Sequence, residues 1–271
     1  MKKTSAVAVL FGLCFLYVPV LFAQLTPAEL AQEAQWENFL KTAEVVGQKQ
    51  LSGEEAVTSP WVLTLKLGDF THRGLWKNAR GRLKGYIEGW QYEIAAYRMD
   101  RLLDLNMVPP TVERRFQGDA GSCQYWIDDT ISLRDKVEKK IKTPSYKVFT
   151  WDRAVYLQRL FDNLIANEDR SQGNILITKD WRMILIDHSR TFRTWKKLIF
   201  TEKHPEGPKL MSELPRAIVE KVKALTFESI KAAVADYLTD DEIKTMLVRR
   251  DLILAEIDKL IKKNGEQNVL Y

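Results

Sequence analysis

The chain has 271 residues, 45% of them hydrophobic and 28% charged, with a net charge of +5. That is the make-up of an ordinary globular protein: one large domain, or two lobes sharing a cleft. No repeat at solenoid spacing is present, and no basic stripe with interleaved aromatics argues for nucleic acid.

The N-terminus stands apart. After Met-Lys-Lys come 18 uncharged, mostly apolar residues, Ala6 to Ala23. This reads as a signal peptide, residues 1–23, or as an uncleaved anchor, since Leu21 sits where a small residue usually precedes cleavage. Either way the lysines stay on the cytoplasmic side and the rest of the chain is exported, to a periplasm or a secretory lumen. A membrane contact is expected only if the leader stays uncleaved. Without the leader the net charge is +3, and Cys123 is the single cysteine left. No intrachain disulfide is then available, so a packed core must carry the stability.

The remaining elements follow in chain order. TPAELAQEAQWENFL predicts an opening helix, with Thr26 as N-cap, Pro27 in the first turn and Glu29 completing a capping box. WVLTLKLGDFTHRGLWKN alternates and carries a Gly68–Asp69 turn, which predicts a small antiparallel sheet with GLWK as one strand. From Tyr86, YIEGWQYEIAAYRMDRLLDL takes up helical period, with Trp90 and Tyr97 read as core, and Asn106 with Val-Pro-Pro at 108–110 stops it. TVERRF and SCQYWI are strands joined by Gly-Asp-Ala-Gly. TWDRAVYLQRLFDNLIANED is a strongly periodic helix. NILIT and RMILID form a hairpin turning at Lys179–Asp180. The rest is helical, and its last helix has a second capping box, Thr239 with Glu242, and stops near Gly265. The expected fold class is α+β with two lobes: an N-lobe over residues 24–128 and a mainly helical C-lobe over 129–271.

Within ANEDRSQGNILITKDWRMILID, three polar groups interrupt an apolar stretch. Asp187 ends an apolar strand, where a charge is costly unless paired or metal-bound. Asp169 and Asn174 could each be turn formers. Together the three have the spacing of a kinase catalytic-loop Asp, an Asn five residues on, and a metal-binding Asp on the following hairpin. Upstream, Lys77 ends a strand and Glu93 lies in the next helix, where a kinase places its phosphate-positioning pair. An ordinary eukaryotic protein kinase does not fit: the catalytic loop reads Glu168-Asp169-Arg170, the metal motif reads Asp187-His188-Ser189, and no GxGxxG is present.

The resemblance is to the atypical kinase superfamily. DRSQGNILI resembles the signature of the phosphoinositide kinases and HipA-like kinases. EIAAYRMDRLLDLNMVPP and IDHSRTF resemble segments of the secretory-pathway kinases related to the Golgi casein kinase. The likeness covers about residues 43 to 193. It implies a two-lobed protein-kinase-like fold using ATP, or another nucleoside triphosphate, with Mg²⁺ or Mn²⁺. It implies Asp169 as catalytic base, Lys77 and Glu93 at the phosphates, and Asn174 and Asp187 on the metal. Loop 53–60 would lie over the nucleotide, and 124–128, with Gln124 and Trp126, would form the hinge near the adenine. The acceptor would be a hydroxyl on a protein, sugar or lipid. The competing expectation is a catalytically weak pseudoenzyme that binds nucleotide or a partner.

Three lesser readings complete the set. Arg190, Arg193, Lys196 and Lys197 read as a solvated face, with contact to an acidic substrate or lipid headgroup as the functional alternative. Cys123 reads as a buried small hydrophobe. His72, His188 and His204 lack zinc-ligand spacing.

Overall fold

The computed structural model describes residues 25–52, 58–83, 86–199 and 210–271. The leader and most of loop 53–60 fall outside the described residues. Among the described residues no helix is long and apolar enough to cross a membrane.

The capping box at Thr26 forms: Glu29 N–H donates to the Thr26 hydroxyl, and the Glu29 carboxylate accepts from Thr26 N–H. The expected single helix is two, α1 (Pro27–Ala31) and α2 (Glu33–Thr42). The break sits at Gln32, whose N–H closes on the Glu29 carbonyl three residues back, tightening the turn.

A five-stranded antiparallel sheet follows, built from β1 (Glu44–Gln50), β2 (Trp61–Leu67), β3 (Phe70–Lys77), β6 (Thr111–Phe116) and β7 (Asp119–Tyr125). Its order is β1-β2-β3-β7-β6. Gly68 has φ of +60°, as the expected β2–β3 turn requires. β4 (Arg80–Leu83) and β5 (Tyr86–Gly89) form a separate hairpin. Residues 86–89, expected as helix, are therefore strand. Gly89 is a poor helix former and stands in extended backbone as the N-cap of α3 (Trp90–Leu102).

The predicted NILIT–RMILID hairpin is present as β9 (Ile175–Thr178) and β10 (Met183–Leu185). A short strand that the sequence did not reveal, β8 (Thr130–Ser132), joins it on the β9 side. The helical part is α4 (Leu133–Glu138), α5 (Ser145–Leu164), α6 (Arg216–Lys223), α7 (Phe227–Val234) and α8 (Asp240–Asn264). α5 starts five residues before the expected Thr150, because Pro144 already fixes an extended N-cap there. α8 has its Thr239–Glu242 capping box and ends at Gly265, φ +83°.

Two cores result. The smaller lies between α2 and the five-stranded sheet, around Leu40, Leu63, Leu65, Trp76 and Cys123. The larger joins α3, α5 and the C-terminal helices, around Met99, Leu160, Phe161, Leu164, Met246 and Ile253. Each such side chain contributes roughly 1.5–3 kcal/mol on burial. α3 thus links both halves: in sequence it lies between β3 and β6 of the sheet, but it packs its apolar face into the helical core. Cys123 is sealed, and burial pushes its thiol up to about 12.

Candidate active site

β3 delivers Lys77 to the rim of the sheet. β7 runs close beside it, and Gly121 permits the approach: a Cβ there would stand 2.4 Å from the Lys77 carbonyl oxygen and 2.7 Å from Trp76 Cε2. Lys77 Nζ donates to Glu93 Oε1 at 2.7 Å and to Asp187 Oδ1 at 2.7 Å. One ammonium therefore ties the sheet, α3 and the segment after β10. Burial works to lower the Lys77 pKa, but Asp187 and Glu93 override it and leave it above the usual lysine value. Burial likewise works to raise Glu93, and the Lys77 ammonium overrides it, holding the carboxyl well below its usual range. Both groups are charged.

Glu93 uses its other oxygen to accept from His188 N–H at 3.0 Å. Asp187 sits in left-handed backbone, φ +59°, which Asp tolerates better than most residues. Its side chain remains 35% exposed, against 3% for Glu93. The Lys77 and Ser189 bonds both use Oδ1, so Oδ2 takes part in neither.

Asn174 comes from the 3₁₀ turn Gln172–Asn174. Its carbonyl accepts from Ile186 N–H at 3.1 Å, which sets it beside Asp187. Its side-chain Nδ2 donates to the Asp169 carbonyl at 3.0 Å, leaving Oδ1 outside that bond. The Asp169 carboxylate is 43% exposed and accepts from Arg190 Nη1 at 2.9 Å. Burial raises the Asp169 pKa, with Arg190 opposing and Asp187 and Glu88 adding to it. Lys77, Glu93, Asp169, Asn174 and Asp187 are thus joined in one cluster. Asp187 and Asn174 each keep a hard oxygen outside the internal bonds, a donor set suited to Mg²⁺ or Mn²⁺. Among the described residues no group of three or more His, Cys, Asp or Glu could hold a metal ion. Two protein donors alone would form only part of a divalent-metal site, with the remaining oxygens supplied by other ligands.

Gln124 and Trp126 stand apart from that cluster. The Gln124 side chain is buried and donates to Thr111 Oγ1 at 2.9 Å. The Trp126 ring lies under the Arg73 guanidinium, 4.7 Å from its centroid, and its carbonyl is 2.8 Å from His72 Nε2. A cavity of about 310 Å³ opens beside Tyr125, Trp126 and Arg182, but none of the five clustered residues lines it.

The sequence reading missed the frame behind the cluster. Arg170, next to Asp169, bonds both oxygens of Asp162 and the carbonyls of Asn174 and Ile186. Its Nη2 also donates to His188 Nε2 at 2.9 Å, which puts the ring proton on Nδ1. Burial holds His188 below its usual pKa, so it is neutral. The available signal was Asp162, an acid on the apolar side of α5. The run after Asp187 is not a solvated face throughout. Arg190 bridges Glu88 and Asp169, and Arg193 is buried against Glu168 and the Ile87 carbonyl. Their fork-shaped groups find carboxylates and carbonyls across the cleft.

No family model matches the chain, and no curated protein matches it significantly in sequence. Solved structures do match. A structure of hydra Fam20 with sugar superposes with a TM-score of 0.67 at 14% identity, covering 89% of this chain and 92% of that one. The Golgi casein kinase matches with 0.64 at 15% identity, covering 89% and 77%. Its form with Mn/ADP bound matches with 0.62 at 16% identity, covering 89% and 78%. The chain therefore shares the fold of these structures, with an antiparallel sheet region followed by a helical region.

Proposed function

We propose that this protein is a phosphotransferase that moves the terminal phosphoryl group of ATP, or another nucleoside triphosphate, to a hydroxyl acceptor outside the cytoplasm. The observation that carries the reading is the Lys77 ammonium held 2.7 Å from both Glu93 and Asp187. A lysine clamped in this way is pre-oriented toward phosphate oxygens, with no reorganisation left to pay when a nucleotide arrives. Asn174 and Asp187 would hold a divalent metal, Mg²⁺ or Mn²⁺, which supplies neutralisation of charge on the transferred group. Asp169, exposed enough to meet an acceptor and oriented by Arg190 and Asn174, is the group that takes the hydroxyl proton. Gln124 and Trp126 are the proposed adenine-side contacts, and residues 1–23 the export signal. The solved neighbours, a Fam20 with sugar and a casein kinase with Mn/ADP, support a nucleotide–metal site and a hydroxyl acceptor.

Two measurements test this. ATP with Mn²⁺ should raise the melting temperature where either alone does little, and labelled ATP should give a phosphorylated product. Asp169→Asn should cut kcat by about 10²–10⁴, the range for a lost general base, with nucleotide-induced stabilisation kept. Stabilisation without transfer in the parent would favour the pseudoenzyme reading. No stabilisation by any nucleotide–metal pair would refute both.

A further inference from the structure

Of the twelve large apolar side chains exposed among the described residues, five fall between residues 137 and 149. Val137 lies in the last turn of α4, Ile141 lies in the connection, and Tyr146, Val148 and Phe149 occupy the first turns of α5. Tyr146 and Phe149, three residues apart, share a face of that helix, and they are 76% and 58% exposed. The same stretch is strongly basic. Residues 134–149 hold Arg134 and five lysines against Asp135 and Glu138, a local excess of four positive charges in sixteen residues. Lys139 is paired with Asp135. Lys140 and Lys142, both exposed, make no ion pair among the described residues.

The form of this surface selects its occupant. It is a corner between two helices, α4 and α5. Its cations are mostly lysines on long flexible stems, which keep their charge in a headgroup layer while the stem lies along apolar neighbours. Aromatic and aliphatic side chains interleaved with such lysines suit the boundary of an anionic bilayer. An acidic protein partner would instead favour planar, bidentate arginines.

We propose that the α4–α5 corner, residues 134–149, docks on an anionic phospholipid surface, with Tyr146 and Phe149 entering the interface and Lys140 and Lys142 meeting the headgroups. α4 also packs against the 3₁₀ turn of the catalytic loop: the Arg134 guanidinium lies 3.4 Å from where a Cβ on Gly173 would stand. Docking here would bring the cleft beside the lipid surface. The inference does not depend on phosphoryl transfer.

The test is flotation of the full chain with vesicles of pure phosphatidylcholine and of phosphatidylcholine mixed with phosphatidylglycerol. Any contribution of the N-terminal apolar stretch is common to all variants. The parent should bind the anionic vesicles more tightly, and the preference should fall as salt is raised. Lys140→Glu with Lys142→Glu should lose roughly 30-fold or more of that preference. Tyr146→Ser with Phe149→Ser should weaken binding while leaving the salt dependence in place. All four side chains are exposed, so unchanged melting temperatures would report intact folding. Equal binding of the parent to both vesicles, or an unaltered preference in the double lysine variant, overturns the proposal. So does binding to polyglutamate with none to vesicles, which would give the surface to acidic proteins.

Discussion

Two buried cations lie back to back in this molecule. Lys77 is held by Glu93 and Asp187, and Arg170 by Asp162 with His188. The Arg170 group is sealed: Asp162 and His188 have no exposed side-chain surface, and the arginine only 6%. Every donor of the fork that bonds is spent on the protein, on a carboxylate, two carbonyls and an imidazole. The Lys77 group is open on one side through Asp187, which keeps an oxygen in reserve. The same pairing of charges therefore has two different outcomes. One locks the turn before β9 to the segment after β10, and the other leaves a charged group open to solvent.

Breaking the sealed group should have the largest effect. Arg170→Met removes the counter-charge from Asp162 and leaves it only the Gln158 and Asn167 amides, which costs about 3–5 kcal/mol for a buried pair. Chemical denaturation should report that loss with or without nucleotide. A loss below about 1 kcal/mol would mean that the group is not the lock described here.

A second sealed carboxylate sharpens the contrast through pH. Burial pushes Asp100 up to about 6, against the pull of Arg101 and the Met107 and Val108 N–H groups. Its folded pKa is raised, so its contribution is fully present below pH 3.8 and is lost as pH rises through about 6. Between those limits the parent should lose on the order of 3 kcal/mol relative to Asp100→Asn. Parallel stability–pH curves for the two proteins would place the proton elsewhere.

The open group should respond to ligand instead. Asp187→Asn tolerates the same left-handed backbone, and with Glu93 still paired to Lys77 it should lose less stability than Arg170→Met. It should nevertheless forfeit the stabilisation that nucleotide and Mn²⁺ give, about 2.7 kcal/mol at a hundredfold excess over Kd. Full retention of that shift by the variant would break the distinction between the two groups.

The open group was legible in the sequence and the sealed one was not. Asp169, Asn174 and Asp187 stand at fixed spacing around a hairpin whose strands pair by pattern alone, and Lys77 and Glu93 end a strand and open a helix. Arg170, Asp162 and His188 meet only after α5, the loop and β10 are folded together, and no local period announces that. The same limit explains Arg190 and Arg193. Four basic residues in eight read as a solvated run, yet two are internal because Glu88 and Glu168 arrive from distant segments. Elements set by local chemistry, such as the Thr26 and Thr239 caps and the Gly68 turn, were readable directly. The split of the opening helix rests on one tightened turn at Gln32 that the apolar pattern does not mark, and strand β8 depends on its pairing with β9; both escaped.

Gly121 adds a consequence for any saturation-mutagenesis map of this chain. It has no functional group, yet every side chain at that position would drive into the peptide that carries Lys77. Substitutions there should therefore score as badly as those at the charged residues they displace. A ranking by tolerance alone would count it among the chemical groups, and only a readout that separates abundance from turnover would sort the two.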